Sequence, residues 1–287
     1  MALRILVVEG NTRDGREKHR ASFGMMPCES YAAVLQRIEP TAVCDLAFPA
    51  DEGANLPDGS GLQSYDAVVL TGSHLHIYDA SPAITRQIDL MRAVYGSGTP
   101  CFGSCWGIQI GAVAAGGDVR RNPSGREVGF ARNIAPTDQG RAHPLLAGRP
   151  AAFNAPAVHL DTIVATPPDC TVLAGNAISA VQAAEIRYAG GTFWGVQYHP
   201  EFDLMELAVI LERMAEILIG EGFCEGPEDA AAYVADLVAL HTEPHRPDLA
   251  WRHGLDAQVL DPVRRTTEIR NFIEHRVKPT KSARGRA

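Results

Sequence analysis

The chain has no C-x-x-C pair, no long apolar run and no excess of positive charge, and each absence removes a class of protein. Its six cysteines stand apart at positions 28, 44, 101, 105, 170 and 224, so neither a zinc site nor the disulfide framework of a small secreted domain is expected. A reducing cytoplasm is the natural home of such a pattern. No stretch approaches the roughly 20 residues of a membrane span, and the apolar start at residues 3–8 is too short for a signal peptide. A formal net charge of −8 argues against nucleic acid as a partner. There is no internal repeat, no low-complexity segment before the last few residues, and no motif calling for a metal or a cofactor.

What is present is ordinary globular material, with 46% hydrophobic and 21% charged residues in 287. That length suits one large α/β domain, or a domain of roughly 200 residues with an extension. Residues 3–8 form a continuous β-type run, as in a strand covered on both faces. The glycines at 10 and 15 then break the chain. Ser30 caps a predicted helix through Ile38, residues 42–48 form a second strand, and residues 49–61 read as a Gly/Pro/Asp-rich surface loop. Residues 65–70 form a buried strand that runs into the loop 71–79, and Ser81-Pro82 opens the next helix. From residue 119 to about 189 the segments shorten, as antiparallel additions to a sheet would: 128–134, 151–153, 171–173 and 179–187. Residues 192–198 make a final strand, followed by a helix from about 204 to 220. This alternation predicts a doubly wound, mostly parallel sheet with antiparallel additions and flavodoxin-like layering. Its site should lie at the carboxyl ends of the strands.

One stretch carries chemistry. Cys105 follows a small, apolar strand and precedes a helical pattern, and Gly103 and Gly107 flank it as G-x-C-x-G. Such a turn is tight enough to push a nucleophile out above the sheet, and the helix end favours thiolate. A cysteine in isolation is as readily a small buried residue. His199 and Glu201 alter the balance. In an extended segment residues i and i+2 point the same way, so imidazole and carboxylate face one another across Pro200, giving the nucleophile a base and the base an orienting group. His159 is the rival base, but no carboxylate-orienting motif there matches the His199 pair so well. His74 and His76 read as loop residues near the mouth of the site, with no further metal ligands nearby.

Gly103-Ser-Cys-Trp-Gly-Ile-Gln109 and Gly195-Val-Gln-Tyr-His-Pro-Glu201 resemble the two signature motifs of class I (triad-type) glutamine amidotransferases, especially the glutaminase domain of GMP synthases. Residues 70–79, Arg126-Glu-Val-Gly129, His143-Pro-Leu-Leu146 and His159-Leu-Asp161 are similar to further family segments, so the resemblance covers roughly residues 3–220. It implies a Cys105, His199, Glu201 triad that hydrolyses a glutamine side chain through a γ-glutamyl thioester. It also implies an oxyanion hole from backbone N–H groups of Trp106 and of Gly72 or Ser73, and a substrate-binding Gln109. The family usually has Gly-Gly-Pro where this chain has Gly72-Ser73-His74.

These readings divide the chain into an amidotransferase-like domain at 1–220 and a helical extension at 221–287. In the extension, residues 227–240 and 262–277 are predicted helices, and Lys278, Lys281, Arg284 and Arg286 read as a basic, mobile end. The extension is too short for the ATP-pyrophosphatase domain of a full GMP synthase and lacks its ATP loop. Three activities remain open: a glutaminase supplying a separate synthetase subunit with ammonia, a partner-independent hydrolase or transferase of another γ-glutamyl compound, and a non-catalytic regulatory module. Apolar residues at Tyr233, Leu237 and Leu240 and at Ile269, Phe272 and Ile273 suit a packing extension, and equally a homo-oligomer or partner surface.

Overall fold

A computed structural model describes residues 2–56 and 61–285. The strands are β1 (Arg4–Val8), β2 (Val43–Ala47), β3 (Ala67–Leu70), β4 (Cys101–Ser104), β5 (Asp118–Arg121), β6 (Glu127–Pro136), β7 (Phe153–His159), β8 (Asp161–Ala165), β9 (Cys170–Gly175), β10 (Ala183–Tyr188) and β11 (Gly191–Val196). The main sheet has nine strands in the order β2-β1-β3-β4-β11-β10-β9-β6-β7. From β2 to β11 the neighbours run parallel, and from β11 to β7 they run antiparallel. The parallel half carries the carboxyl-end edge expected of a doubly wound sheet, and β5 and β8 pair separately.

The helices are α1 (Arg13–Phe23), α2 (Pro27–Ile38), α3 (Pro82–Ser97), α4 (Trp106–Ala114), α5 (Asp138–Ala142), α6 (Leu204–Arg213), α7 (Ala215–Gly220) and α8 (Pro227–Thr242). Short helical segments follow from Pro247 to Ala283. Side chains alternate across the central strands, as the period of two requires. Ile5 and Val7 share one core with Tyr31 and Leu35 of α2, and Leu6 and Val8 share the other with Ile84 of α3 and Ile108 of α4.

Three local expectations differ from the molecule. α1 has no counterpart in the sequence reading, because its buried face is built from Arg16 and His19 rather than from apolar residues. Arg16 is buried by pairing with Asp51 at 2.5 Å, and His19 lies 3.2 Å from Glu206. α2 starts at Pro27 instead of after Ser30, since Glu29 accepts the Met26 N–H at 2.8 Å while Ser30 Oγ donates to Glu206 at 2.7 Å. The helices expected at 204–220 and 262–277 are interrupted, the first at Met214 and the second at Thr266 and in a π-helical turn over Ile273–Val277.

The described part of the basic end packs onto the rest of the chain. Lys278–Ala283 is helical, and the Lys281 ammonium is buried, donating to Asp66 at 3.0 Å and to the Ala2 carbonyl at 2.5 Å. Asp66 also accepts the Arg4 N–H, so the end of the chain is fastened to the start of β1. Arg286 lies outside the described residues. The apolar faces beyond residue 220 are used within the chain. Ile269, Phe272 and Ile273 are buried in the core that holds α2, and Leu237 and Leu240 pack with Leu207 and Leu211 of α6.

Among these contacts one ion pair is wholly buried. Arg149 meets Glu268 through two hydrogen bonds of 2.6 Å, with side chains 1% and 0% exposed. Tyr198 donates to the same carboxylate at 2.9 Å. Arg149→Met leaves that carboxylate buried without its cation, and the expected cost is about 3–5 kcal/mol. Urea unfolding reads it, and an unchanged midpoint would remove the pair from the stabilising contacts of this face.

Candidate active site

β4 ends at Ser104, and the chain turns at once into α4 through Cys105, whose backbone lies at φ 52°, ψ −102°. Few residues with a Cβ adopt that conformation, and it costs on the order of 1–3 kcal/mol. The turn is enforced from both sides. Cys105 N–H donates to the Val196 carbonyl of β11 at 2.8 Å, and β4 and α4 touch where neither Gly103 nor Gly107 has a side chain. A Cβ on Gly103 would lie 2.8 Å from the Gly107 Cα. The result is a sulfur at the start of α4, 3.7 Å from the Val158 carbonyl and lining a cavity of about 510 Å³.

His199 and Glu201 come to the same cavity from the end of β11. His199 N–H donates to the Pro156 carbonyl of β7 at 2.7 Å, and the imidazole stacks on Phe202 with centroids 3.9 Å apart. Its Nδ1 donates to Glu201 Oε1 at 2.7 Å, which leaves Nε2 as the ring nitrogen for the sulfur. The other Glu201 oxygen accepts from Ser104 Oγ at 2.8 Å, and Ser104 Oγ meets Tyr31 OH at 3.1 Å. Burial lowers the His199 pKa, but the Glu201 carboxylate and the Cys105 sulfur outweigh it and raise it to about 10. That direction favours the protonated imidazole.

The loop after β3 is hung on Asn11. Its side-chain oxygen meets Ser73 Oγ at 3.2 Å, His74 N–H at 3.2 Å and His74 Nδ1 at 2.8 Å. The loop thus gains from Ser73 and His74 hydrogen bonds that a Gly-Pro pair cannot make. The Gly72 carbonyl accepts from Thr71 Oγ1 at 3.0 Å and from Asn11 Nδ2 at 3.3 Å. Across a trans peptide the Ser73 N–H points the opposite way. Among the described residues neither that N–H nor the Trp106 N–H meets an acceptor. Gly72 is a glycine of necessity, because a Cβ there would lie 2.6 Å from His199 Cε1.

Gln109 reaches the cavity, but its amide nitrogen is engaged by the Asp161 carbonyl and by Gln197 Oε1, each at 3.3 Å. Its side-chain oxygen is the part left for a ligand. His159 is brought to the cavity wall with both nitrogens occupied, Nε2 by Glu127 at 2.9 Å and Nδ1 by the Asp161 carbonyl at 3.0 Å. That distinguishes it from His199. Residues that sequence reasoning passed over include Ser104 and Tyr31 behind Glu201, Asn11 under the loop, and Asp14, Lys18 and His19 of α1. Only Ser104, inside the cysteine motif, carried a sequence signal. No group of three or more His, Cys, Asp or Glu among the described residues is arranged to hold a metal ion.

Residues 40–215 match the family described as glutamine amidotransferase class-I, and the chain belongs to that family. It is 34% identical to a gamma-glutamyl-L-1-hydroxyisopropylamide hydrolase from a Pseudomonas species, over 97% of this chain and 94% of that protein. It is 30% identical to one subunit of the glutamine-hydrolyzing GMP synthase of Methanococcus maripaludis, over 52% of this chain and 75% of that protein. The fold matches a glutamine amidotransferase from Thermotoga maritima with a TM-score of 0.63 at 18% identity, covering 97% of this chain and 99% of that one.

Two outcomes are expected from this geometry. Gly72→Ala displaces the His199 ring and slows alkylation of Cys105 by iodoacetamide roughly tenfold or more, with the melting temperature little changed; an unaltered rate would break the link between the two. A pKa raised by folding contributes stability that is complete below the ordinary histidine value of about 6.5 and is lost as pH rises through about 10. His199→Gln should therefore cost more stability near pH 6 than above about pH 10, as read by urea unfolding at the two pH values.

Proposed function

We propose that this member of the class I glutamine amidotransferases hydrolyses γ-glutamyl amides that carry a substituent on the amide nitrogen, releasing glutamate and an amine without a partner protein. The carrying observation is the cavity itself. Around Cys105 and His199 it extends to Leu75, Ile210, Met214 and Ile217, an apolar lining that the unsubstituted amide of glutamine does not call for. Its volume of about 510 Å³ is within the range of roughly 300–1,000 Å³ found for ligands larger than a lone amino acid. The likeness to the Pseudomonas hydrolase over nearly the whole of both chains supports the same reading.

In this mechanism the Cys105 sulfur, sharing its proton with His199, attacks the γ-carbonyl carbon. The oxyanion that forms is received by the Ser73 and Trp106 N–H groups, an element typically worth a hundredfold or more in rate. The C–N bond breaks as His199 Nε2 passes its proton to the departing amine, leaving a γ-glutamyl thioester on Cys105. Neutral His199 then takes a proton from water, the hydroxide attacks the thioester, and the C–S bond breaks to release glutamate. Glu201 holds the Nδ1 proton throughout, so the tautomer that faces the sulfur does not change.

The second reading, a glutaminase delivering ammonia to a synthetase, draws on the match to the Methanococcus GMP synthase component, which spans about half of this chain. An assay of the purified protein alone separates the two. The expected result is release of amine from γ-glutamylethylamide with kcat of about 1 per second or above, faster than ammonia from glutamine, and loss of at least about a thousandfold in Cys105→Ala. Silence toward both substrates, or undiminished turnover in Cys105→Ala, would overturn the proposal.

A further inference from the structure

The cavity holds a second histidine-carboxylate pair that the mechanism above leaves unused. His76, on the loop after β3, directs Nδ1 at Asp161 Oδ2 over 2.6 Å. Asp161 is buried, with its side chain 5% exposed, and Tyr78 OH donates to its other oxygen at 3.1 Å. The Tyr78 ring lies nearly parallel to the imidazole, with centroids 5.3 Å apart. Carboxylate, phenol and stacking together fix the ring, and Nε2, without a partner among the described residues, is the nitrogen left for the cavity that His76 lines. A buried carboxylate spent on orienting one cavity histidine is a device for placing a hydrogen-bond donor.

The pair sits beside the group expected to hold the amino-acid end of a substrate. Gln109 donates its amide hydrogens to the Asp161 carbonyl and to Gln197, so it has none directed at a carboxylate. Three other basic side chains of the cavity are engaged as well. Lys18 pairs with Asp14 at 2.8 Å, Arg126 pairs with Glu221 at 2.9 Å, and Arg213 donates to Ser22 Oγ at 2.9 Å and to His19 Nδ1 at 3.2 Å. Among these only Arg213 lacks a carboxylate partner among the described residues, which makes it the rival anchor.

We propose that His76, oriented by Asp161 and Tyr78, receives the α-carboxylate of the γ-glutamyl substrate. The proposal rests on the hydrolase reading of this same site. In the complex both ring nitrogens donate, Nδ1 to Asp161 and Nε2 to the substrate, and the imidazolium charge stands between two carboxylates. His76 then sets the preference for a γ-glutamyl group over acyl groups that lack the α-carboxylate. Asp161 and Tyr78 act through it as positioning residues.

The test combines His76→Asn with substrates that lose one group at a time. γ-Glutamyl, glutaryl and 4-aminobutyryl ethylamides carry both α-substituents, the carboxylate alone and the amine alone. In the wild-type background His76→Asn should raise KM for the first two by about 10- to 100-fold, the range of a charge-assisted hydrogen bond. It should leave kcat within a few-fold and leave the 4-aminobutyryl compound unaffected. Asp161→Asn, with the Tyr78 partner retained, should show the same pattern at smaller size. Calorimetric binding of the three amides to Cys105→Ala, with and without His76→Asn, reads the same cycle where no turnover occurs. A His76-dependent binding preference, together with a wild-type protein that turns over none of the three amides, would sustain this site while ending the hydrolase reading. Equal losses on all three amides would overturn the proposal, as would transfer of the effect to Arg213→Gln. An effect confined to γ-glutamylglycine, whose second carboxylate lies on the leaving amine, would also overturn it.

Discussion

The Glu201 carboxylate is the constraint on which the site depends. One oxygen fixes the tautomer of His199, and the other is held by Ser104, the residue immediately before Cys105. Cys105 and His199, the proposed nucleophile and base, follow different strands, β4 and β11, which are hydrogen-bonded neighbours. Glu201 ties the ends of those two strands together, and Tyr31 of α2 continues the tie into the core. Because the carboxylate is buried, each of these partners offsets part of a large desolvation cost, and loss of any one is felt by the others.

The residues beyond 220 belong to this argument through packing. Glu268 accepts from Arg149 and from Tyr198, and Tyr198 is adjacent to His199. The segment that completes one face of the sheet therefore also fixes the backbone from which His199 is presented. The cavity is also lined by α1 and the α6–α7 junction, through Lys18, His19, Ile210 and Met214. The chemistry at the sulfur is set by the strand ends, and the shape offered to a substrate is set by helices that only tertiary contacts hold in place.

Much of the fold was legible because its elements announce themselves by period. β1 after Arg4 and β3 are continuous apolar runs, and α3 has a proline start and an apolar stripe. α1 was not legible, since Arg16 and His19 count as exposed residues until Asp51 and Glu206 come from elsewhere in the chain to pair with them. The same reason hid the fate of the basic end. Lys281 reads as solvated until Asp66, far away in sequence, turns out to lie beneath it.

By itself the sequence determined the identity of the chemical groups. Gly103 and Gly107 make a tight turn possible at Cys105, and the spacing of His199 and Glu201 brings base and orienter to one side of a strand end, both through local rules of sterics and period. The tertiary structure alone decided what those groups face. It occupied both nitrogens of His159, committed the Gln109 amide to the protein, and brought Asp161 under His76. A hydrogen bond between segments distant in the chain has no period and no local signature, and such bonds choose which of several histidines is free to act.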